Sequence, residues 1–454
     1  MKIDIRNSFL DRFTSYSRSN FTYSNKANIY IFAIYAIRTL YGLFLIDPHS
    51  GQDAPSYFED AEIVLKNGPF AQVLHAPIWP IGYTWFLSLI WKIGGLDSRL
   101  LGLTQSTLVL VATFALYHLV KREIGREIAL ISSLLMSSSF AIFVSAGEIM
   151  YETSMMSFFL IGLNLISKFS LDGSSSRRTV FLGGLFFGLA ILIHPSILGP
   201  VFICLAIVFI RILKRRSDWV VLALMLLIIA SGPALNTARN YISGDGFGYT
   251  GNIYTISTFS GWGSGSPEKL EDCKKKGVRI TSLKFKDKLE YYDSSPRQVC
   301  LYKVALENPK ASFEIVVRNG LRFVSPYIGV MKSNGTWYHG LDVRRLVPQY
   351  VWWDGGGRVL DTVLCAIWIL THLTMMIFGC VLLLRKKAFF RLADSYSAYL
   401  FIFPVIIKWT TSMFTHGDSR HRIAISPIYL TLVSVAIYFI LKKTQMKFVE
   451  NRLS

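Results

Sequence analysis

The chain has 454 residues, of which 52% are hydrophobic, 14% aromatic and 17% charged, whereas soluble domains carry about a quarter charged residues. The apolar residues gather in runs of roughly 18 or more, which excludes a soluble enzyme and marks a protein that crosses a membrane several times. The net charge of +19 does not make a nucleic-acid binder, because Lys and Arg are shared out among short segments between apolar runs, the pattern that orients membrane proteins.

Residues 1–27 are polar, carry Arg6, Arg12, Arg18 and Lys26, and read as a cytoplasmic tail without a cleavable signal. A first span over 28–46 puts the loop Gly51–Pro80 outside. The next apolar run, Ile78–Ile93, is short and holds Trp79, Tyr83, Trp85 and Trp91, which suits a helix lying along the outer interface. If it crossed instead, every later basic cluster would fall on the wrong side. Spans then follow over 99–120, 127–147, 153–167, 179–194, 196–213, 219–236, 359–384, 395–414 and 423–441. Their inner ends carry Lys121-Arg122, Lys168 with Arg177-Arg178, Lys214-Arg215-Arg216, Arg385-Lys386-Lys387 and Lys442-Lys443. The expected fold is an all-α polytopic bundle of about ten transmembrane helices, with outer-face interfacial helices and one long outer loop region. Its parts are the tail 1–27, a transmembrane module 28–236 whose first outer loop is 47–98, the outer region 237–358, C-terminal helices 359–441 and the tail 442–454.

The outer region 237–358 holds eighteen Lys/Arg against eleven Asp/Glu, a net of +7. Long loops escape the positive-inside rule, so the excess suits either an anionic ligand or lipid surface or a plain solvated face. Cys273 and Cys300 both lie here, and an oxidising compartment would join them. The bond would close a loop of about 28 residues and contribute roughly 3 kcal/mol. Cys204, Cys365 and Cys380 sit in apolar segments, and no Cys/His spacing suggests zinc. Asn334-Gly335-Thr336 is a glycosylation sequon, meaningful only in a eukaryotic host.

Chemistry is concentrated at the outer ends. Asp53, Tyr57 and Ala61 share one helical face before Gly68-Pro69 breaks the helix. A carboxylate there serves as a general base, as a metal ligand, or simply as an N-cap for the helix that follows. Glu148 and Glu152 emerge on the same side, four residues apart, and share a helical face if a helix starts at Glu148. Asp53, Glu152 and His75 together are the set that would hold a divalent metal ion, the one cofactor suggested; a lone His is more often a structural hydrogen-bonder. Arg239, Arg420 and Arg422 also fall outside, where Arg suits a phosphate, although interfacial snorkelling accounts for each one singly. Tyr57, Glu148 and Tyr241 are candidates for positioning substrate. Arg318 and Arg322 make a further basic face. Arg38, deep in the first span, must face the interior or pair with a carboxylate.

Several segments, in order, resemble the GT-C glycosyltransferases of the dolichyl-phosphate-mannose–protein mannosyltransferase and aminoarabinose-transferase type. They are Gly51-Gln52-Asp53 with Tyr57 and Ala61, then Pro77-Ile78-Trp79-Pro80-Ile81-Gly82-Tyr83; Ser145 to Glu152; Gly188-Leu189-Ala190 through His194-Pro195; Gly232-Pro233 with Arg239-Asn240-Tyr241; and Gly417-Asp418-Ser419-Arg420-His421-Arg422 with Pro427. The resemblance implies a mannosyltransferase-like enzyme of the cell (plasma) membrane. It would move a hexosyl or pentosyl group, with inversion, from a polyprenyl-phosphate-linked donor to a glycan, lipid or protein acceptor on the periplasmic or exterior face. Asp53 would match the catalytic Asp and Glu152 the second-loop acid, while Arg239 with Arg420 or Arg422 would hold the donor phosphate. Trp262, Trp337, Trp352 and Trp353 would stack on sugar faces or belong to the interfacial belt. The chain departs from the family pattern in three ways: His194 stands where Arg is usual, Ala76 where a basic residue is usual, and no soluble C-terminal domain is expected. Two other readings are a transporter or flippase of a lipid-linked anionic substrate, which needs discontinuous helices with polar residues near the midplane, and a surface-polysaccharide polymerase or ligase.

Overall fold

A computed structural model describes residues 20–45, 54–74, 80–96, 98–171, 177–215, 219–243, 278–281, 290–293, 309–324, 359–385, 390, 392–414 and 419–453. The helices are α1 (Asn20–Leu45), α2 (Ala54–Asn67), α3 (Ile81–Gly94), α4 (Ser98–Glu123), α5 (Arg126–Ser138), α6 (Phe140–Gly147), α7 (Glu152–Leu171), α8 (Arg177–Ile193), α9 (Leu198–Arg215), α10 (Trp219–Ile242), α11 (Pro309–Val324), α12 (Val359–Arg385), α13 (Ser397–Phe414) and α14 (Ser426–Leu453). Short 3-10 turns, Pro195–Ile197 and Ser419–Ile425, precede α9 and α14. A small antiparallel hairpin, β1 (Val278–Thr281) with β2 (Glu290–Asp293), adds to the helical expectation within residues 237–358; Val278 stands opposite Asp293.

Six helices among the described residues are long and apolar enough to cross a membrane, spanning Arg99–Glu123, Glu152–Leu171, Pro195–Lys214, Leu222–Ile242, Ile367–Arg385 and Arg422–Met446. The pair Arg126–Ser138 and Ala141–Gly147, bent by 50°, makes a seventh if it is one span. The other three expected crossings correspond to α1, α8 and α13. Helix α3 has 14 residues, about 21 Å of helix against a hydrocarbon core of about 30 Å. That length suits the interfacial placement.

Glycine lets helices approach where the site is built. A Cβ on Gly82 would lie 2.2 Å from the Leu192 carbonyl oxygen, and one on Gly232 would lie 2.5 Å from that of Gly188. Helix α3 therefore rests directly on the C-terminal end of α8, and α8 on α10, in the close small-residue packing of membrane helices. Between α4 and α5 the chain reverses at Gly125, whose φ of 149° few side-chain-bearing residues adopt.

Arg38 faces the interior, as its depth requires, but its partner is a backbone group. Nη2 donates to the Ser139 carbonyl at 2.9 Å, and the guanidinium lies 4.9 Å from the Phe143 ring centroid. Ser139 is the break between α5 and α6, and its carbonyl also accepts from the Phe143 amide at 3.1 Å, so the arginine takes the second lone pair of the carbonyl that opens α6.

The end of the bundle where α4 stops and α13 starts is closed by a buried charge cluster. Arg211 on α9 donates from Nη1 and Nη2 to the two carboxylate oxygens of Glu123 on α4, each at 2.8 Å, and from Nη2 to Asp394 at 2.7 Å. Ser397 on α13 donates to Glu123 at 2.8 Å, Ser167 on α7 donates to it as well, and the Ala393 amide reaches the Glu123 carbonyl at 3.0 Å. Four helices are thus tied around one arginine whose side chain, like that of Glu123, has no exposure.

Candidate active site

The candidate site is at the opposite end of the bundle. Asp53 and His75 lie outside the described residues, as do Cys273 and Cys300 and the side chain of Arg420. Helix α2 begins at Ala54, immediately after Asp53, and buries Tyr57 and Ala61 completely. Tyr57 meets Tyr83 of α3 edge-on at 5.0 Å and Tyr151 at 6.1 Å. These three rings join the first outer loop to the acidic turn Ser145–Glu152.

That turn is held by a residue the sequence did not advertise. Gln105 on α4 donates from Nε2 to the carbonyls of Ala146, at 3.1 Å, and Glu148, at 2.8 Å. Its Oε1 accepts from the Tyr83 hydroxyl and from Ser154, both at 3.2 Å. All four polar positions of one buried amide are therefore used in fixing the loop between α6 and α7. Glu148 itself is extended, with φ −91° and ψ 156°, and Glu152 is the first residue of α7. The two acids are not on one helical face, because the helix starts four residues later than that reading requires. Both are fully buried. Glu152 gains from its place at a helix N-terminus, where backbone N–H groups favour a negative charge. Burial first, then the charge of Glu152, hold the Tyr83 phenol well above the usual tyrosine range, so Tyr83 is a neutral hydrogen-bond donor.

A third strand of the site comes from the break between α8 and α9. His194 ends α8 in an extended conformation, and its Nδ1 accepts from the Ser196 amide at 3.1 Å. Its ring stacks on Tyr151 with centroids 4.0 Å apart and planes 2° from parallel. Lys408 of α13 donates to the Ser196 carbonyl at 3.0 Å and is only 3% exposed. A lysine inside an apolar run is a signal that the sequence does carry.

Helix α10 ties the first outer loop down. Asn236 Oδ1 accepts from the Ile81 amide at 3.3 Å, which caps α3 where Pro80 has no side-chain cap of its own. Arg239, completely buried, donates to the Ala71 carbonyl at 2.6 Å and to Asn240 Oδ1 at 3.0 Å. Asp60 accepts from the Leu74 amide at 3.0 Å and Trp85 donates to the Pro69 carbonyl at 2.8 Å. Tyr241, by contrast, is 57% exposed. Arg422 donates to the Phe323 carbonyl at 3.1 Å and lies 5.3 Å from the Tyr429 ring centroid, so it fastens the end of α11 to the start of α14. Among the described residues no three His, Cys, Asp or Glu side chains come together to hold a metal, and Glu152 is the one described member of the expected ligand set.

Arg239→Ala is expected to leave the Ala71 carbonyl without its charged donor, a loss of about 1.5–3 kcal/mol. In Arg239→Lys the charge remains and the planar fork is lost. Limited proteolysis of the 68–80 loop is the check: the Ala variant is expected to be cut faster and the Lys variant to fall between, and equal cleavage of all three would remove Arg239 from loop positioning.

Comparison with known proteins places part of this region. Among solved structures, the archaeal oligosaccharyltransferase AglB from Archaeoglobus fulgidus, in complex with an inhibitory peptide and a dolichol-phosphate, aligns with 94% of this chain at 11% identity and a TM-score of 0.46. The apo form of the Archaeoglobus fulgidus enzyme gives 93%, 13% and 0.47. ArnT from Cupriavidus metallidurans, bound to undecaprenyl phosphate, gives 90%, 13% and 0.40, with 77% of its own length covered. The chain spans about half the length of the oligosaccharyltransferase, 52% in both alignments. No curated protein matches the chain. Residues 79–233, which carry α3, Gln105, the acidic turn, His194 and Pro233, match the dolichyl-phosphate-mannose-protein mannosyltransferase family.

Proposed function

We propose that the protein is a membrane glycosyltransferase that moves a sugar from a polyprenyl-phosphate-linked donor to an acceptor on the outer face. The observation that carries this reading is the junction of three elements at one end of the bundle: the helix that follows Asp53, the acidic turn ending at Glu152, and the loop held by Arg239. The first two meet through Tyr57, Tyr83 and Tyr151, and Tyr83 and the acidic turn fall within the matched segment.

The chemistry follows from that placement. A polyprenyl tail stays in the bilayer while its phosphate sits at the outer interface, beside the first loop. Asp53 takes the proton from the acceptor hydroxyl, and the oxygen attacks the anomeric carbon in line. The bond between that carbon and the phosphate oxygen breaks, polyprenyl phosphate leaves with the electron pair, and the configuration inverts. Arg420, with Arg422 near it, is the cation proposed to stabilise the leaving phosphate, a contribution of about 2–4 kcal/mol for a well-placed donor. Arg239 acts from behind, by holding the loop. The donor class follows the family description; a hexosyl group is the proposed cargo and the plasma membrane the proposed site, with the reaction facing the periplasm or exterior.

A flippase reading has one observation in its favour, the broken span α5–α6 with its 50° bend, since transporters place substrates at discontinuous helices. Here the break is occupied by Arg38. Proteoliposomes carrying a labelled polyprenyl-phosphate sugar separate the two. Transfer yields free polyprenyl phosphate and a labelled acceptor, and a flippase moves the intact lipid between leaflets without breaking the bond.

A further inference from the structure

Lys408 lies six residues from the end of α13, about 9 Å below the outer end of the helix, and is 3% exposed. An ammonium has three N–H donors. Among the described residues this one makes a single hydrogen bond, to the Ser196 carbonyl, so two donors remain. A lysine in the bilayer region ordinarily faces a carboxylate or marks a functional path. The carboxylate whose charge acts on Lys408 is Glu152. The two belong to one assembly: Ser196 is bonded to His194, His194 is stacked on Tyr151, and Tyr151 immediately precedes Glu152 at the start of α7. The other buried cations at this end each hold a backbone carbonyl of a different element, Arg239 that of Ala71 and Arg422 that of Phe323.

We propose that Lys408 is a positioning residue that acts through Glu152: its ammonium, anchored on Ser196 at the α8–α9 break, is the counter-charge that sets where the Glu152 carboxylate lies in the closed outer end. A buried carboxylate without an opposite charge is strongly disfavoured, and the α7 N-terminus supplies only partial charge. Lys408 supplies a whole one from an element that the first 240 residues do not contain. The acidic turn and α13 are therefore coupled, and the last part of the chain takes part in arranging the first. The role in transfer rests on the glycosyltransferase reading; the electrostatic coupling does not.

The test uses the full chain in nanodiscs and the variants K408Q, K408R, E152Q and E152Q/K408Q. Gln keeps a donor for the Ser196 carbonyl and removes the charge, whereas Arg keeps the charge. K408Q is expected to lower the unfolding temperature and to reduce kcat roughly tenfold, the size of effect seen for directly coupled sites, and K408R to recover most of both. In the E152Q background K408Q is expected to change neither by more than a small fraction of that amount. Wild-type behaviour of K408Q, or losses that simply add in the double variant, would overturn the proposal and leave Lys408 as a cap on a carbonyl. If K408Q does not fold, recovery of folding in E152Q/K408Q supports the coupling and no recovery overturns it. Coupling seen in unfolding temperature without any sugar transfer would uphold the pair and overturn the proposed reaction instead.

Discussion

Asp53→Asn is expected to lower turnover by roughly 100-fold or more while expression and unfolding temperature stay close to wild type. Helix α2 starts at Ala54, so Asp53 is the residue before its first turn, the place where a side chain caps the free amides. Asn caps as well as Asp, so the substitution isolates the negative charge from the cap. If capping were the whole role, Asp53→Asn would be active and Asp53→Ala would cost about 1 kcal/mol of stability. A chelator then divides the two active roles. A metal ligand predicts that wild-type turnover falls on chelation and returns with added divalent ion; a general base predicts no response. Circular dichroism and kcat on the same preparations are the measurements.

Arg211→Ala is expected to be the most damaging single change outside the site. It removes both bonds to Glu123 and the bond to Asp394, leaving a fully buried carboxylate without its cation. Breaking a buried pair in this way costs about 3–5 kcal/mol. Glu123→Met together with Arg211→Met removes the fully buried pair, leaves only the partly exposed Asp394, and is expected to be far less harmful, because well-packed apolar replacements of buried ion pairs are often neutral. Thermal unfolding in detergent, followed by intrinsic fluorescence, gives the comparison. A double variant as unstable as Arg211→Ala would show that hydrogen bonds to Ser167 and Ser397, rather than charge balance, hold the four helices together.

The parts of this protein that were legible in the sequence are those written as local pattern. Apolar runs between basic clusters place the helices, because burial in lipid demands long apolar segments and orientation demands charge at their inner ends. Tyr57 and Glu152 stood out from their spacing and their expected side of the membrane, and both are fully buried. What escaped depends on tertiary meeting. Glu123 and Arg211 are 88 residues apart, and Arg211 and Asp394 are 183 apart, so Arg211 read as part of a span and not as the centre of a clasp. Gln105 and Asn236 are single polar residues in apolar helices, and their meaning appears only when the turn at Ala146–Glu148 and the start of α3 come to them. Arg239 stood out as an outer cation suited to phosphate, and in the fold it also donates to a loop carbonyl and to its neighbour Asn240. Nothing in residue type separates those two uses of a guanidinium. The helix break before Glu152 likewise hid from a spacing argument, since four residues make one face only if the helix already runs.

The most direct measurement is the fate of the bond between sugar and phosphate. Purified wild-type protein is supplied with a polyprenyl-phosphate sugar labelled in both lipid and sugar, with a membrane extract as the source of acceptor, and the anomeric configuration of the product is read by NMR. The account predicts time-dependent release of free polyprenyl phosphate, transfer of the labelled sugar with inverted configuration, and loss of both in Asp53→Asn. Donor that stays intact across a panel of hexosyl and pentosyl lipids, while the wild-type protein remains folded, would contradict it.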